Sequence, residues 1–370
     1  MQARNRGMWL TITEKCPKGH ATGRLSIILA TLLSTWVQRV PPSFRISKSM
    51  PNLTEVKSIL SYCAWPLVFF SGLAGAYFAF ASNHPIAAFS AVYAGEIAFL
   101  FFLERLIPYE GSWLQPDGET VNDIGHTLLT KGSLQIFALL GAIFPMLAAG
   151  FLHTISAMQF NLWPTGLPMV AQVALAVTIA EFGLYWSHRI AHEKLFFWRF
   201  HALHHSVTRL WVVNTGRFHV VDSLFKVALS QIPLYFLGAP LEMFLWLGAV
   251  TAFIGILTHC NVEMKTGLFD FVFSTPRLHR WHHSKELREG NTNYGENIVL
   301  FDLLFGTYYN PDRASSTDIG IKGQIARGFM AQLAQPFTKE GIRQILGRHT
   351  KGNQNPDTPI ADSVRTAPEI

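Results

Sequence analysis

The apolar positions of the chain are gathered into uncharged blocks, of which residues 58–95 and 132–180 are the longest. One helix needs about 20 residues to cross the hydrocarbon of a bilayer, so each block is long enough for two spans. Asn83, His84 and Pro85 break the first block, and residues 161–166, with Pro164 and Gly166, break the second, because proline and glycine end helices locally. The pattern predicts four spanning helices, over residues 60–82, 86–104, 133–155 and 167–187. After a polar stretch from residue 188 come two more apolar runs, residues 224–238 and 240–258, divided by Gly238 and Pro240. At 1.5 Å per residue the shorter run covers roughly 22 Å, less than a hydrocarbon core of about 30 Å. A re-entrant or interfacial hairpin is therefore expected in place of two full spans. Residues 320–350 mix basic and apolar positions, as a surface helix on anionic lipid would. Pro356, Pro359 and Pro368 give the last twenty residues the composition of a disordered tail.

Composition changes the picture little but narrows it. The 370 residues are 49% hydrophobic and 15% charged, against roughly 25% charged for a soluble domain, which excludes an ordinary soluble enzyme and a disordered chain. Cys16, Cys63 and Cys260 are scattered, without CxxC spacing, so neither a disulfide scaffold nor a cysteine zinc site is indicated. The net charge of +6 is confined to one end: residues 1–49 hold eight basic residues and one acid, and the remainder sums to −1. That distribution excludes a nucleic-acid footprint, which would be a patch on a folded domain. It reads as a flank, a targeting segment or an over-extended start, with Met50 as an alternative. Within each pair of spans the connection lacks Lys and Arg, whereas the segments before residue 58, from 105 to 131 and from 188 to 223 are basic. An even number of spans places these three together, on the cytoplasmic side by the positive-inside rule.

Eight of fifteen histidines fall in three five-residue windows, HRIAH (His188, His192), HALHH (His201, His204, His205) and HRWHH (His279, His282, His283). An even spread would place about 0.6 there. Spacings of three and four residues put side chains on one helix face, so each window aims its imidazoles at one point. Any single histidine is accounted for as a polar aromatic residue at a helix end; the set is not. Imidazole suits zinc, copper, iron and nickel, a lone zinc takes four ligands, and eight clustered histidines imply two metals. HRIAH lacks the glutamate that HExxH peptidases use as general base, which disfavours proteolysis.

These windows match the HxxxH, HxxHH, HxxHH pattern of the fatty acid hydroxylase superfamily, which the chain resembles from about Glu104 to Pro311. The likeness extends to YWSHRIAH, to RFHVVD at residues 217–222, to HCN at residues 259–261 and to NYGENIVLFDLLFGTYYNP after the third box. Phe301 stands where many relatives have tryptophan. The resemblance implies a non-haem di-iron centre held by histidine, using O2 and two external electrons to attack an unactivated C–H bond of a sterol-like, fatty acyl or ether lipid, by hydroxylation or desaturation. It also implies that His219 and His259, between the second and third boxes, complete the ligand set, and that Asn261 and Asn297 orient ligands. Glu181, Tyr185, His188 and His192 form one stripe on the fourth span, so Glu181 is expected to hydrogen-bond the far nitrogen of a ligand, while Tyr185 packs in the core. A helix-to-helix hydrogen bond is expected for Glu96 and structural roles for His126 and His153.

The expected architecture is an all-α integral membrane protein with about four transmembrane helices, a cytoplasmic histidine-rich helical cap and the hairpin. Residues 1–57 form a basic extension, 58–311 the catalytic domain, 312–350 a surface segment and 351–370 a tail. The alternative function is a histidine-rich metal transporter or sensor, disfavoured because transporters place ligands near the bilayer midplane whereas these boxes flank the spans. No nicotinamide, flavin or haem motif is visible, so electrons are expected from a cytochrome b5, a ferredoxin or a reductase. Arg199, Arg209, Arg217, Arg277, Arg280, Lys285 and Arg288 would offer that acidic carrier a docking face, or serve lipid headgroups.

Overall fold

The computed structural model describes residues 52–131 and 160–347. The third expected span, His153, and the extension and tail up to residue 51 and from residue 348 lie outside them. The described residues are helical, with only isolated β-bridges, and five helices are long and apolar enough to cross a membrane.

Helix α1 (Leu53–Phe80) starts before the apolar block because Asn52 and Glu55 form a capping box, each side chain accepting from the other's backbone N–H. A turn at residues 82–84 leads to α2 (Pro85–Leu106), with proline at its first position. The two pack closely, and Ser71 of α1 donates to Glu96 of α2 at 2.8 Å, the interhelical hydrogen bond expected for that glutamate. The outward faces keep Phe70, Phe78 and Phe102 more than half exposed, an arrangement suited to lipid rather than water.

The short helix α3 (Thr120–Gly125) continues into a π-helical turn, His126–Lys131. Helix α4 (Met169–Glu193) is tied to the loop before it by Gln172 of its first turn, which accepts from the Trp163 indole and donates to the Leu167 carbonyl. Its C-terminal half passes directly into the box-bearing α5 (Leu195–His205).

The second apolar pair forms α6 (Val220–Leu237) and α7 (Leu241–His259), joined at Gly238, whose φ of 78° closes α6 in the left-handed conformation. Helix α6 begins before the apolar run seen in the sequence, at Val220 in place of residue 224, whereas α7 keeps the length of its run. Asp222, in the added first turn, is buried with Lys226 as its ion-pair partner, so the helix extends through a charged residue that hydropathy alone would exclude. At the tip, the Phe160 and Leu162 amides donate to the Phe236 and Leu237 carbonyls. The hairpin tip thus reaches the loop that precedes α4.

Beyond α7 lie α8 (Pro276–His282), α9 (Leu300–Phe305), α10 (Phe329–Ala334) and α11 (Lys339–Ile345). In place of one long surface helix, residues 329–345 form two short ones broken at Pro336. They pack on the cap through Gln332, which meets His126 and Glu119.

Candidate metal centre

All eight box histidines and His259 converge, in two groups whose candidate ligand atoms lie within 4.8 Å of one another. His188, His192, His201, His205 and His282 form the first group, and His204, His259, His279 and His283 the second. The partition follows from helix geometry. Residues i and i+4 share a face, so His201 and His205 of α5 go to the first group while His204 turns to the second. On α8 the pair His279 and His283 goes to the second group while His282 turns to the first. Each of these two boxes therefore gives a pair to one group and a single ring to the other, and the groups abut where His205 and His283 stack with centroids 4.4 Å apart.

Hydrogen bonds behind the rings fix which nitrogen points inward. His188 Nδ1 donates to the Tyr294 carbonyl at 2.8 Å and His282 Nδ1 to the Thr292 carbonyl at 2.7 Å. His201 Nδ1 is 2.9 Å from Asp222 Oδ2, and His192 Nδ1 is 3.2 Å from Asn291 Oδ1. In the second group His259 Nδ1 faces Asn214 Oδ1 at 3.1 Å. A carbonyl only accepts, so the proton of a neutral His188 or His282 ring sits on Nδ1 and Nε2 is a bare lone pair. Those two Nε2 atoms are nonetheless 2.9 Å apart, and comparable contacts join His192 to His205, His259 to His279 and His279 to His283. Opposed lone pairs repel, and a shared cation relieves them. Burial holds His282 down to about 3 and pushes His201, His204, His205, His279 and His283 below the usual histidine range, so they stay available as neutral ligands. The His201 Nε2, His204 Nδ1 and His283 Nδ1 atoms are buried without a hydrogen-bond partner. This donor set fits two metal ions.

A cavity of about 40 Å³ touches both groups, through His188 on one side and His204 and His279 on the other. Lys226 lines it, buried, 2.5 Å from Glu296 and 3.9 Å from Asp222, with its ammonium over the Phe218 ring.

Four expectations are corrected. His219 joins neither group: as N-cap of α6 its Nδ1 accepts from the Val221 amide, and its Nε2 meets the Leu333 carbonyl. Glu181 bonds no histidine, because it lies two helical turns from His188; its carboxylate accepts from the Glu296 and Asn297 amides, fixing the loop that carries the Tyr294 carbonyl. Asn261 exchanges hydrogen bonds with the Glu110 backbone, and the buried Asn297 amide reaches no histidine. Of the basic docking face, Arg209, Arg217 and Arg280 are buried, Arg209 on Asp117, Arg217 on Asp123 and Glu119, and Arg280 on the Cys260 and Val262 carbonyls. Tyr185 packs among Tyr294 and Phe305, and His126 against Phe329 and Gln332.

Sequence reasoning missed Asp222 and Asn214. Asp222 stood in the RFHVVD stretch, but nothing in its spacing tied it to His201, 21 residues earlier.

The fatty acid hydroxylase family model matches residues 173–307. An ornithine lipid hydroxylase of Rhizobium tropici is 60% identical over 298 residues, 80% of this chain and 90% of that protein. Alkylglycerol monooxygenase of Homo sapiens is 28% identical over 134 residues, 35% of this chain and 28% of that protein. A sterol desaturase of Schizosaccharomyces pombe is 28% identical over 170 residues, 44% of this chain and 52% of that protein. No solved structure matches. The matched segment begins inside α4 and ends after α9, enclosing every histidine of both groups, and the R. tropici identity runs along most of both chains; this chain belongs to the fatty acid hydroxylase family.

Proposed function

We propose that the chain is an O2-dependent, non-haem di-iron hydroxylase of an ornithine-type membrane lipid, drawing electrons from a separate carrier. The observation that carries this reading is the pair of histidine groups with their bare nitrogens turned inward. Five rings of the first group and four of the second would hold one iron each, and the irons when bound supply the oxidising power for an unactivated C–H bond that no side chain provides. Hydroxylation is favoured over desaturation because the extensive likeness is to a hydroxylase, while the sterol desaturase is a remote relative.

The chain's own residues prepare the site. Asp222, Asn291, Asn214 and the Tyr294 and Thr292 carbonyls hold the imidazoles in the ligating tautomer and orientation. Phe218 stacks on His204 at 4.0 Å and walls the cavity from water, with Thr251, Gly255 and Thr258 of α7 on its membrane side. The boxes face the cytoplasm in this reading, since the turns at residues 82–84 and 238–240 and the loop at 161–167 carry no Lys or Arg.

The test is to purify the full chain from membranes, count its metals, and incubate it with ornithine lipid, a reduced carrier and oxygen-18 gas. About two irons per chain and a lipid product carrying one labelled oxygen are expected. Iron-loaded protein that leaves the lipid unlabelled would remove this substrate, and tight zinc with no iron would remove the oxidase.

A further inference from the structure

Of the nine grouped histidines, eight are buried and His192 alone is partly exposed. Trp198 lies over it. On α5, Trp198 shares a face with His201 and His205, three and seven residues on, and its ring centroid lies 5.3 Å from His192 and 5.6 Å from His205. It too is partly exposed, so one indole joins the molecular surface to two rings of the same group. The other side of His192 is closed by Asn291, which ends the exposed turn from Glu286. Lys194 and Arg288 stand on these flanking segments, exposed and in no ion pair among the described residues, whereas Glu193 is neutralised by Arg189. Glu286 is the one exposed acid there without such a pair, leaving the patch a single positive charge in surplus. The histidines of the second group have no such edge at the surface.

We infer that this edge, with Trp198 at its centre, Lys194 on one flank and the 286–291 turn on the other, is the docking surface for a small acidic one-electron carrier protein. The inference rests on the oxidase reading above. Each docking oxidises one carrier by one electron. Two such events, with two protons from water and one O2, convert R–H to R–OH and water. Buried Arg209, Arg217 and Arg280 take no part. An aromatic residue at the centre of a patch, with charges at its rim, is the arrangement in which the aromatic holds the partner and the rim steers it.

The experiment uses full-length iron-loaded protein in nanodiscs, with reduced ferredoxin as the protein carrier and dithionite as a small reductant, following the iron optically. For Trp198→Leu the ferredoxin-driven reduction should slow by about tenfold or more, as for loss of a central tryptophan anchor, with dithionite reduction and iron content unchanged. Trp198→Phe should keep most of the rate. Lys194→Glu with Arg288→Glu should raise the ferredoxin concentration that gives half the maximal rate and make the salt dependence shallower. An unchanged ferredoxin rate in Trp198→Leu would overturn the inference, as would a rate that falls equally with both reductants or a wild-type protein that ferredoxin does not reduce. Reduced binding to bilayers in Trp198→Leu, with reduction intact, would make the residue a membrane anchor and overturn it likewise. Wild-type protein without iron would instead defeat the oxidase reading beneath it.

Discussion

His219 and His259 stand at the two ends of one helical hairpin, yet only His259 turns its ring into a histidine group. His219 caps α6, and a cap side chain must fold back on its own first turn to accept a backbone amide. His219→Ala should therefore leave about two irons bound and lower stability by about 1 kcal/mol through the lost cap, whereas His259→Ala should strip the second group. Metal analysis of the two variants decides this, and iron lost equally from both would restore His219 as a ligand. Asp222 is the complementary case, a residue that ligates nothing and orients His201. Asp222→Asn should weaken iron binding about 10- to 100-fold, the usual effect of removing such a partner, while the helical circular dichroism stays intact. Iron affinity equal to wild type would show that packing alone fixes the His201 ring. Lys226 pairs with both Asp222 and Glu296, which is why a cation is tolerated buried in the first turns of α6.

Between elements, the position of α4 against α6 decides whether His188 and His192 meet Asp222 and its histidine. The helices touch at Gly183, where an added Cβ would stand 2.1 Å from the Leu229 carbonyl oxygen, a backbone atom that cannot swing aside. Gly183→Ala should cost about 1–3 kcal/mol by overpacking and release iron from the first group before the second. A melting temperature equal to wild type would mean that α4 slides freely on α6. On the cap, Arg217 pairs with Asp123 at 2.7 Å and Glu119 at 3.0 Å and donates to the Leu203 carbonyl of α5. Truncating one partner of such a buried pair costs about 3–5 kcal/mol, so Arg217→Ala should unfold the cap side of α5. Proteolysis near residue 210 would report it, and resistance equal to wild type would contradict it.

At the scale of the molecule the buried histidines make stability depend on pH. Burial depresses His126 to about 4 and His282 to about 3, while an unfolded histidine titrates near 6.5. Below about pH 6.5 the unfolded chain binds protons that the folded chain does not, so stability is complete above that value and declines as pH falls toward 4. Metal-stripped protein in detergent should melt at a clearly lower temperature at pH 5.5 than at pH 7.5, and equal melting would mean the rings are solvated. The sidedness also has a test. In a chain lacking Cys16 and Cys63, a cysteine at Asn83 should react with an impermeant maleimide on intact cells, and one at Arg288 only after permeabilisation. The reverse labelling would invert the topology.

Much of this was legible along the chain. Uncharged blocks longer than a bilayer is thick, breaks at Asn83–Pro85 and Pro164–Gly166, and histidines spaced three and four apart are local properties, because helix periodicity and turn chemistry act over a few residues. They were enough for an all-helical membrane protein and for eight of the nine histidines that the structure brings together, with His259 following from the family likeness. Tertiary structure decided what depends on residues far apart in sequence. It divided the second and third boxes between two groups, paired His201 with Asp222 and His259 with Asn214, and turned Glu181 from a histidine to a loop. It also buried three arginines of the expected docking face and began α6 before its apolar run. In each case the outcome turned on which partner a polar group found once buried, and the spacing of residues along one element does not contain that choice.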